Sequence, residues 1–308
     1  MKVKLFTHTD FDGIGCAVLA KETFNNVDIE YCNYDDVNEK INNFFSSGNF
    51  LDYSHIFITD ISVKEDLAKD IDICMNNTSS EIFLLDHHQT ANYLNKYNWC
   101  KVIVEENGEL TSGTRLFYNY LIEHNHLDNF SEWNHILLYF TEIVRKYDTW
   151  EWKTKYNDEV PKKWNDLFYI YGRDLFINKI QDNIANMNMI FDATDETILQ
   201  LNQEKINKYI DKKSEQIVTK EIQGYKAGIV FAEQYHSELG NVLSERNPEL
   251  DFIVIINPSV SVSYRTVKDN INLGKDIASV YGGGGHPKAA GSPISDDIRE
   301  QIINMMFG

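Results

Sequence analysis

One imidazole and two carboxylates within five positions are the first residues of the chain whose types suit chemistry. His8, Asp10 and Asp12 follow an apolar run and precede Gly13. One aspartate at this point would be a common helix cap, but two carboxylates and a histidine exceed what a cap needs. If the turn stays extended, the i, i+2 spacing directs both carboxylates the same way. The group is therefore suited to binding a metal ion.

Two further groups of acids and histidines stand directly after apolar runs. Asp60 ends one such run, and the sequence Asp86-His87-His88 ends the next. Chance is a poor explanation for three apolar runs that each end in such a group. Asp148 follows a segment that is apolar at helical spacing and is the last candidate ligand, with a loop acid or a helix cap as the alternative.

The elements that would position these residues alternate between strand and helix. Strands are predicted at residues 3–6, 28–31, 55–59, 82–85 and 102–104, and helices after residue 13 and at 37–45, 63–75, 111–121 and 133–146. In a doubly wound parallel sheet, the carboxyl ends of the strands meet at one edge. Residues more than seventy positions apart in the sequence can then share one site.

The second half of the chain predicts a smaller α/β domain. An aromatic, irregular segment at 151–172 precedes helices at 174–191 and 196–222, and the second of these has the charged face of a connecting helix. Strands are predicted at 227–231, 251–256 and 259–264, with a helix at 238–246. The predicted domains are residues 1–195 and 224–308, joined by a connecting helix at 196–223.

A run of four glycines, residues 282–285, is the main motif of the second half. Consecutive glycines let the backbone approach a ligand, and successive N–H groups can form an anion nest. A flexible turn is the alternative. Because His286 and Lys288 follow the run and Arg265 lies on a strand before it, anion binding is favoured. The run is not a nucleotide-binding P-loop, since Pro287 precedes the lysine.

Charge and cysteine usage exclude several function classes. Asp and Glu number 47 against 29 Lys and Arg, and the formal charge of −18 disfavours binding of duplex DNA or a long single strand. A small anionic substrate held by a divalent ion is compatible with this charge. Four cysteines without a C-x-x-C pair indicate a reducing, cytoplasmic setting, and no apolar run predicts a membrane span. A homodimer is compatible with the sequence, which does not fix the oligomeric state.

Taken together, these motifs resemble the signature motifs of the DHH phosphoesterases and the glycine-histidine motif of their DHHA1 partner domain. The match covers nearly the whole chain in order and spacing. Relatives of this layout include RecJ-type exonucleases, the oligoribonucleases called nanoRNases and cyclic-dinucleotide phosphodiesterases. The opening Gly13-Ile14-Gly15-Cys16 is most similar to a nanoRNase branch. The resemblance implies an N-terminal DHH domain with a doubly wound parallel sheet, joined by a helix to a smaller α/β DHHA1 domain.

By that resemblance, the DHH domain holds two Mn²⁺ ions. The implied ligands are His8, Asp10, Asp12, Asp60, His87 and Asp148. Asp60 bridges the two ions. Asp10 lies on one side, and Asp12, His87 and Asp148 lie on the other. His8 is either a ligand or a donor to a ligand.

The remaining implied roles concern catalysis and substrate binding. Asp60, Asp86 and His88 are the implied catalytic residues, of which Asp86 orients a histidine and His88 contacts the scissile phosphate. The implied substrate-binding residues are Arg265, Gly283, Gly284, Gly285, His286 and Lys288.

The residue types are consistent with this chemistry independently of the family. Carboxylates and imidazoles suit Mn²⁺, and two ions about 3.5 to 4 Å apart can bind a phosphodiester and activate water. The predicted function is hydrolysis of short oligonucleotides or dinucleotides to mononucleotides. A cyclic-dinucleotide phosphodiesterase, a RecJ-like single-strand exonuclease and a non-catalytic nucleic-acid-binding relative stay open as alternatives. RNA or DNA preference and cleavage polarity are not fixed by the sequence.

Overall fold

Residues 1–75, 78–127, 132–258 and 261–308 are described by a computed structural model of the chain. The chain divides into two units, Met1–Leu199 and Gln200–Gly308. Along these ranges, no helix combines the length and the apolar character that crossing a bilayer requires.

A five-stranded parallel sheet forms the centre of the first unit. Its strands are β1 (Val3–His8), β2 (Val27–Cys32), β3 (His55–Thr59), β4 (Glu81–Asp86) and β5 (Cys100–Val102). They lie in the order β2-β1-β3-β4-β5, so the direction in which the sheet grows reverses between β1 and β3. In open α/β sheets, ligands bind outside the carboxyl ends of the strands at such a switch point. The predicted doubly wound parallel sheet is confirmed.

Helices cover both faces of this sheet. They are α1 (Phe11–Thr23), α2 (Val37–Ser46), α3 (Glu65–Met75), α4 (Gly113–Glu123) and α5 (Glu132–Asp148). Because side chains alternate along a strand, Leu5 of β1 packs into the core shared with α1, α4 and α5, whereas Phe6 packs with α2 and α3. A short ribbon of β6 (Glu105–Glu106) and β7 (Glu109–Leu110) precedes α4. The sheet is thus buried on both sides, and its strand ends are left to carry polar residues.

The segment predicted to be irregular, residues 151–172, is helical for most of its length. It contains α6 (Glu151–Thr154) and α7 (Val160–Tyr171), followed by α8 (Arg173–Ala185), which ends six residues before the predicted boundary at 191. Pro161 lies in the first turn of α7, where its missing N–H costs no hydrogen bond. Trp164 and Phe168 are buried against the core, so tertiary packing stabilises a helix that its aromatic composition did not indicate.

The predicted connecting helix is shorter than expected. Helix α9 (Ala193–Ser214) ends eight residues before the predicted end at 222, and β8 (Val218–Ile222) follows it. β8 pairs antiparallel with β9 (Tyr225–Phe231) through a turn in which Gln223 and Gly224 have φ of +52° and +79°. Two consecutive positive φ values fit a two-residue hairpin turn, so the hairpin replaces the last part of the predicted helix.

The second unit is built on a six-stranded mixed sheet in the order β12-β13-β11-β10-β9-β8. The further strands are β10 (Phe252–Asn257), β11 (Ser261–Arg265), β12 (Gly284–Gly285) and β13 (Ala289–Pro293). Helix α10 (His236–Arg246) connects the parallel pair β9 and β10, and α11 (Asp296–Phe307) closes the chain. Residues 259 and 260, which the sequence assigned to β11, lie outside the described residues. The second unit is therefore mixed α/β, as expected, and the predicted domain limits stay predictions.

Candidate active site

The turn after β1 carries His8 and Asp10, whereas Asp12 lies inside the helix that follows. α1 begins at Phe11 rather than after Gly13, and Asp10 is its N-cap, accepting a hydrogen bond of 3.1 Å from the N–H of Gly13. The condition that the turn stays extended is therefore met at Asp10 but not at Asp12. Because the backbone is already helical at Asp12, the two carboxylates reach different neighbours, Asp10 towards His8 and Asp12 towards α4.

Asp12 is held by the N-terminus of α4. Its two carboxylate oxygens accept hydrogen bonds from the N–H groups of Gly113, at 2.6 Å, and Thr114, at 2.9 Å. The Thr114 hydroxyl also donates to the backbone oxygen of Asp12, at 2.6 Å. A helix N-terminus stabilises a carboxylate through its free N–H groups and its dipole. The side chain of Asp12 is thus fixed in one orientation while it is almost fully buried.

Asp60 follows β3 in a left-handed backbone conformation, with φ of +57°. This conformation is uncommon for a residue other than glycine and costs roughly 1 to 3 kcal/mol when the surrounding structure imposes it. The Asp60 N–H donates to the backbone oxygen of Leu85 at 3.0 Å, which anchors the turn to β4. The strained backbone places the carboxylate of a buried aspartate among the other acids.

Three groups of ligand atoms lie close together among the described residues, and one of them joins Asp60 and His87 to Asp86 and His88. His8, Asp10 and Asp60 form the first of the two groups made only of predicted metal ligands. The Nδ1 atom of His8 lies 2.9 Å from one oxygen of Asp10 and 3.8 Å from Oδ2 of Asp60. One ligand atom from each residue lies within 4.8 Å of the other two, which is close enough for one metal ion. The structure therefore brings His8 into the cluster beside Asp10.

His87 stands at the centre of the second group. Its Nε2 atom lies 3.3 Å from Oδ1 of Asp60, 3.4 Å from Oδ2 of Asp148 and 3.7 Å from Oδ2 of Asp12. Asp148 is the last residue of α5, so the helix end delivers it to the sheet edge. The two oxygens of Asp60 thus face two different imidazoles, and all six predicted ligands meet in one place.

Three atoms of this cluster are buried without a hydrogen-bond partner among the described residues. They are Nδ1 of His8, Oδ2 of Asp60 and Nε2 of His87. Buried polar atoms in proteins are nearly always hydrogen-bonded, so each such atom calls for an explanation. Divalent cations bound in the two groups would satisfy all three atoms, and a mixed set of carboxylates and imidazoles suits a first-row transition ion. The residues present therefore fit a metal centre.

The charges of the cluster are unfavourable in the absence of a cation. Burial, followed by the charges of Asp12 and Asp10, raises the pKa of Asp60 and of Asp148 well above the ordinary value for an aspartate. Burial also opposes ionisation of Asp10, but the adjacent His8 imidazole and the Gly13 N–H outweigh it and lower its pKa. A bound cation reverses this balance, because its charge stabilises the ionised form of every carboxylate around it.

Asp86 and His88 form a separate hydrogen-bonded pair. Nδ1 of His88 lies 2.7 Å from Oδ1 of Asp86, which also accepts from the His87 N–H at 2.8 Å, and the Ser62 hydroxyl donates to the other oxygen. Burial opposes both charges, yet their mutual interaction lowers the pKa of Asp86 and raises that of His88. Nε2 of His88 points outward and lies 3.2 Å from the Tyr34 hydroxyl. Asp86 is thus placed to orient the imidazole.

In the second unit, Arg265 ends β11 with its side chain half-buried beside α10. Its guanidinium donates to the Ser237 hydroxyl at 3.3 Å and to the backbone oxygen of Ala290 at 3.4 Å. Gly240 makes room for it, since a Cβ there would lie 2.4 Å from Cγ of Arg265. Burial lowers the pKa of Arg265, and the charge of Glu238 opposes that effect. Within the described part of the chain this guanidinium forms no ion pair, which suits an anion-binding group.

The glycine run has packing roles that the sequence did not reveal. The N–H groups of Gly282, Gly283 and His286 donate to backbone oxygens, so these three groups are engaged within the protein. A Cβ at Gly283 would lie 2.0 Å from a backbone oxygen of β13, and one at Gly285 would lie 2.6 Å from its backbone. Gly282 and Gly284 have open space around them. Close packing of this hairpin therefore accounts for two of the glycines.

The cations after the run are exposed. Lys288 pairs with Asp269 at 2.7 Å, and both side chains are largely exposed to solvent. His286 lies in the turn to β13, where its N–H and the oxygen of Ala289 form a bond of 2.8 Å. Substrate binding by these residues stays a prediction.

No family model matches the chain. Over 308 residues, however, it is 38% identical to the oligoribonuclease NrnB of Bacillus subtilis, a match that covers 98% of this chain and 75% of that protein. The chain belongs to the DHH phosphoesterase family. Its DHH motif is Asp86-His87-His88, and the chain is accordingly an enzyme of the hydrolase class.

Two further DHH-type matches extend over the whole chain. A 3′,5′-cyclic-nucleotide phosphodiesterase of Helicobacter pylori is 23% identical over 98% of each protein. The crystal structure of RecJ from Thermus thermophilus in complex with Mn²⁺ matches all of this chain and 52% of that one, with a TM-score of 0.50 and 12% identity. At this identity the RecJ match shows a shared fold.

Sequence reasoning missed the residues that hold the ligands. Gly113 and Thr114 were predicted only as the capped start of a helix, and nothing in the sequence indicated that this helix N-terminus receives the carboxylate of Asp12. Tyr34 and Ser62, which contact His88 and Asp86, carry no local signal at all.

Proposed function

We propose that this protein hydrolyses phosphodiester bonds in short oligoribonucleotides and releases mononucleotides, with two Mn²⁺ ions bound in the DHH unit. The observation that carries the proposal is that the two oxygens of Asp60 face the imidazoles of His8 and His87, each of which presents a buried nitrogen without a hydrogen-bond partner among the described residues. The substrate class follows from the likeness to a Bacillus oligoribonuclease.

In this proposal, the two groups of side chains hold one ion each. His8 and Asp10 would hold the first ion, Asp12, His87 and Asp148 would hold the second, and Asp60 is placed beside both groups. Bound ions of this kind polarise a phosphoryl oxygen and lower the pKa of water.

The other residues of the DHH unit bind and orient the phosphate. Asp86 holds Nδ1 of His88, so that Nε2 is directed outward and can donate a hydrogen bond to a phosphate oxygen. The raised pKa of His88 favours the protonated imidazole, which is the better donor to an anion. The position of Asp86 matches the common pattern in which a carboxylate fixes the tautomer and the direction of a histidine.

Arg265 provides a second phosphate contact from the smaller unit. A guanidinium grips a phosphate through two parallel hydrogen bonds, and this one is held half-buried by Ser237 and Gly240. The formal charge of −18 favours substrates of a few nucleotides, because a long strand meets repulsion along its length.

A cyclic nucleotide is the second candidate substrate. The match to a 3′,5′-cyclic-nucleotide phosphodiesterase of Helicobacter pylori covers nearly all of both proteins, and cleavage of such a ring uses the same phosphodiester chemistry. The lower identity, 23% against 38%, places it behind the oligoribonuclease.

A substrate panel tests the proposal. The protein is incubated with labelled RNAs of two to five nucleotides, a 20-nucleotide RNA, 3′,5′-cyclic nucleotides and cyclic dinucleotides, each with Mn²⁺ and with chelator. We expect Mn²⁺-dependent release of mononucleotides, fastest from the shortest RNAs. Asp70→Asn, an exposed acid on α3, serves as the control for loss of an acidic side chain. Equal rates on the 20-nucleotide RNA favour a processive exonuclease, and no hydrolysis of any substrate contradicts the proposal.

A further inference from the structure

A small pocket lies beside His88 and has no role in the hydrolysis described above. Its volume is about 210 Å³, and its wall includes Tyr34, Ser62, His88, Thr90 and Tyr93. Pockets for drug-sized ligands measure roughly 300 to 1,000 Å³. The pocket is therefore too small for a dinucleotide and has the size for a single planar ring system.

Tyr34 lies between this pocket and the cluster of aspartates and histidines described above, which is called the metal cluster below. Its ring centroid lies 4.9 Å from that of His8 and 6.1 Å from that of His88, and its hydroxyl is 3.2 Å from Nε2 of His88. The residue is nevertheless 61% exposed. Its ring is thus fixed at one edge while much of its surface faces solvent. A ring held in this way is already ordered for stacking, so binding costs little side-chain entropy.

A second tyrosine and a threonine add polar groups to the same pocket. The Tyr93 hydroxyl donates to the backbone oxygen of Val63 at 2.8 Å, which fixes the phenol and leaves its oxygen able to accept. The Thr90 side chain is exposed and offers a hydroxyl that can donate or accept. An aromatic wall with a few hydroxyl groups at its edge is the environment in which single-stranded RNA bases are bound.

We propose that this pocket receives the nucleobase of the nucleotide whose phosphate lies at the metal cluster, and that the base stacks on Tyr34. The inference rests on the proposed function, since it takes the phosphate to be that of a nucleotide. Every base has a π-face, so stacking on one tyrosine favours nucleotides with little preference for sequence. Tyr34 is then a positioning residue that links recognition of the base to the contact of His88 with the phosphate.

The inference predicts an effect on substrate binding rather than on the chemical step. Base stacking on an aromatic side chain is present in the bound substrate and in the transition state alike, so its loss raises KM and leaves kcat nearly unchanged. The hydroxyl of Tyr34 contacts His88, whereas its ring provides the stacking surface. Tyr34→Phe keeps the ring and Tyr34→Ala removes it, so the two variants separate these roles.

Binding measurements on the full chain test the inference without relying on turnover. Titration calorimetry in the presence of Mn²⁺ compares AMP with ribose 5-phosphate, which carries the same phosphate and sugar but no base. Wild-type protein and Tyr34→Phe are expected to bind AMP at least about 10-fold more tightly than ribose 5-phosphate. Tyr34→Ala is expected to reduce that ratio to about threefold or less. Tyr139→Ala, which removes an exposed tyrosine from α5, is the matched control and keeps the wild-type ratio.

Dinucleotides in which either base is replaced by hydrogen provide the kinetic counterpart. For wild-type protein, removal of one of the two bases should raise KM about 10-fold, and Tyr34→Ala should abolish that difference. Equal binding of AMP and ribose 5-phosphate by the wild type, or an unchanged ratio in Tyr34→Ala, overturns the inference. A wild type that discriminates AMP from ribose 5-phosphate but hydrolyses no dinucleotide supports the pocket and contradicts the proposed function. Hydrolysis of dinucleotides that does not depend on the base supports the proposed function and overturns the inference about the pocket.

Discussion

Gly113 lies so close to Asp60 that a Cβ at position 113 would stand 2.4 Å from the Cβ of Asp60. The same glycine donates its N–H to Asp12 at 2.6 Å. One residue without a side chain therefore supports two of the acids at the centre of the site. The backbone of Asp60 is in the left-handed region, and the start of α4 occupies the space beside it.

Gly113→Ala is expected to impair the metal centre while the fold persists. The added methyl group must displace Asp60 or the start of α4, because both are buried and backbone atoms also lie within 3 Å. Loss of a group that supports a metal ligand typically lowers metal affinity by about 10- to 100-fold. Calorimetric titration with Mn²⁺ and circular dichroism on the same samples measure the two effects.

Gly48→Ala is the control for this substitution. Gly48, unlike Gly113, has a positive φ, of +77°, and a Cβ there would meet no atom within 4 Å. Alanine is unfavourable in this backbone conformation, so the control should lower stability but leave Mn²⁺ affinity unchanged. If Gly113→Ala binds Mn²⁺ as the wild type does, close packing against Asp60 is not what positions the ligands.

Asp60→Asn is expected to stabilise the metal-free protein at neutral pH. The folded-state pKa of Asp60 lies well above its ordinary value, so the folded chain binds more protons than the unfolded chain between those two pKa values. The stability of the metal-free wild type therefore falls as pH rises through that window. Asparagine tolerates the left-handed backbone and lacks this titration.

Thermal melts in chelator between pH 5 and pH 8 measure the difference. The Tm of Asp60→Asn minus that of the wild type should increase with pH, because the wild type alone gains a buried, unpaired charge. Addition of Mn²⁺ should then raise the Tm of the wild type more than that of the variant. A difference that shrinks as pH rises would show that the buried carboxylate is not under electrostatic strain.

Asp86→Asn is expected to move the alkaline limb of the activity profile to lower pH. Burial opposes protonation of His88, but the hydrogen bond and the charge of Asp86 outweigh it and raise the pKa of His88. In the proposed mechanism the protonated imidazole contacts the phosphate, so activity falls as pH rises through that pKa. The substitution removes the two largest causes of the increase and leaves the smaller effects of Asp12 and Asp10, and kcat should fall by about 10²-fold or more.

The pH dependence of kcat with a dinucleotide measures this shift. Ser62→Ala removes a hydroxyl donor to Asp86 and keeps the carboxylate, so its alkaline limb should stay near that of the wild type. An unshifted limb in Asp86→Asn would exclude His88 as the titrating donor.

Arg265→Ala should cost about 2 to 4 kcal/mol in kcat/KM for dinucleotides, with Mn²⁺ binding intact. The reason is that a half-buried guanidinium without an ion-pair partner in the described ranges is free to bind a phosphate. Arg246→Ala is the control, because that arginine is exposed and pairs with Asp211 in the same unit. A non-nucleotide phosphodiester should lose much less activity. Unchanged dinucleotide kinetics in Arg265→Ala would contradict the proposal that Arg265 binds a phosphate of the substrate.

The meeting of the candidate ligand side chains was predictable because each follows a periodic element. Asp60 and His87 come directly after apolar runs that form parallel strands, and such strand ends meet at one edge. Asp148 was less certain, because the predicted helix ended at residue 146 and a loop acid or a helix cap stayed open as alternatives, whereas Asp148 is the last residue of α5. In each case the local sequence pattern predicted the helix or strand, and the parallel sheet then predicted which side chains would become neighbours.

The contacts that orient these ligands were not predictable. The hydrogen bonds from Gly113 and Thr114 to Asp12 join residues about one hundred positions apart, and nothing near Asp12 in the sequence points to them. An extended backbone from Asp10 to Asp12 is not found, because Asp10 caps a helix that begins one residue later. The hairpin turn at Gln223 and Gly224 depends on the pairing of β8 with β9, and a sequence pattern of helical periodicity does not reveal this pairing.

The most direct test of the central claim combines metal binding with hydrolysis in the wild type and Asp60→Asn. Metal-free protein is titrated with Mn²⁺, and cleavage of a diribonucleotide is followed on the same samples. The account predicts two Mn²⁺ ions bound to each wild-type chain, activity that appears as they bind, and a loss of at least ~10³-fold in Asp60→Asn. Hydrolysis by the chelated wild type, or near wild-type activity in Asp60→Asn with its fold intact, would contradict it.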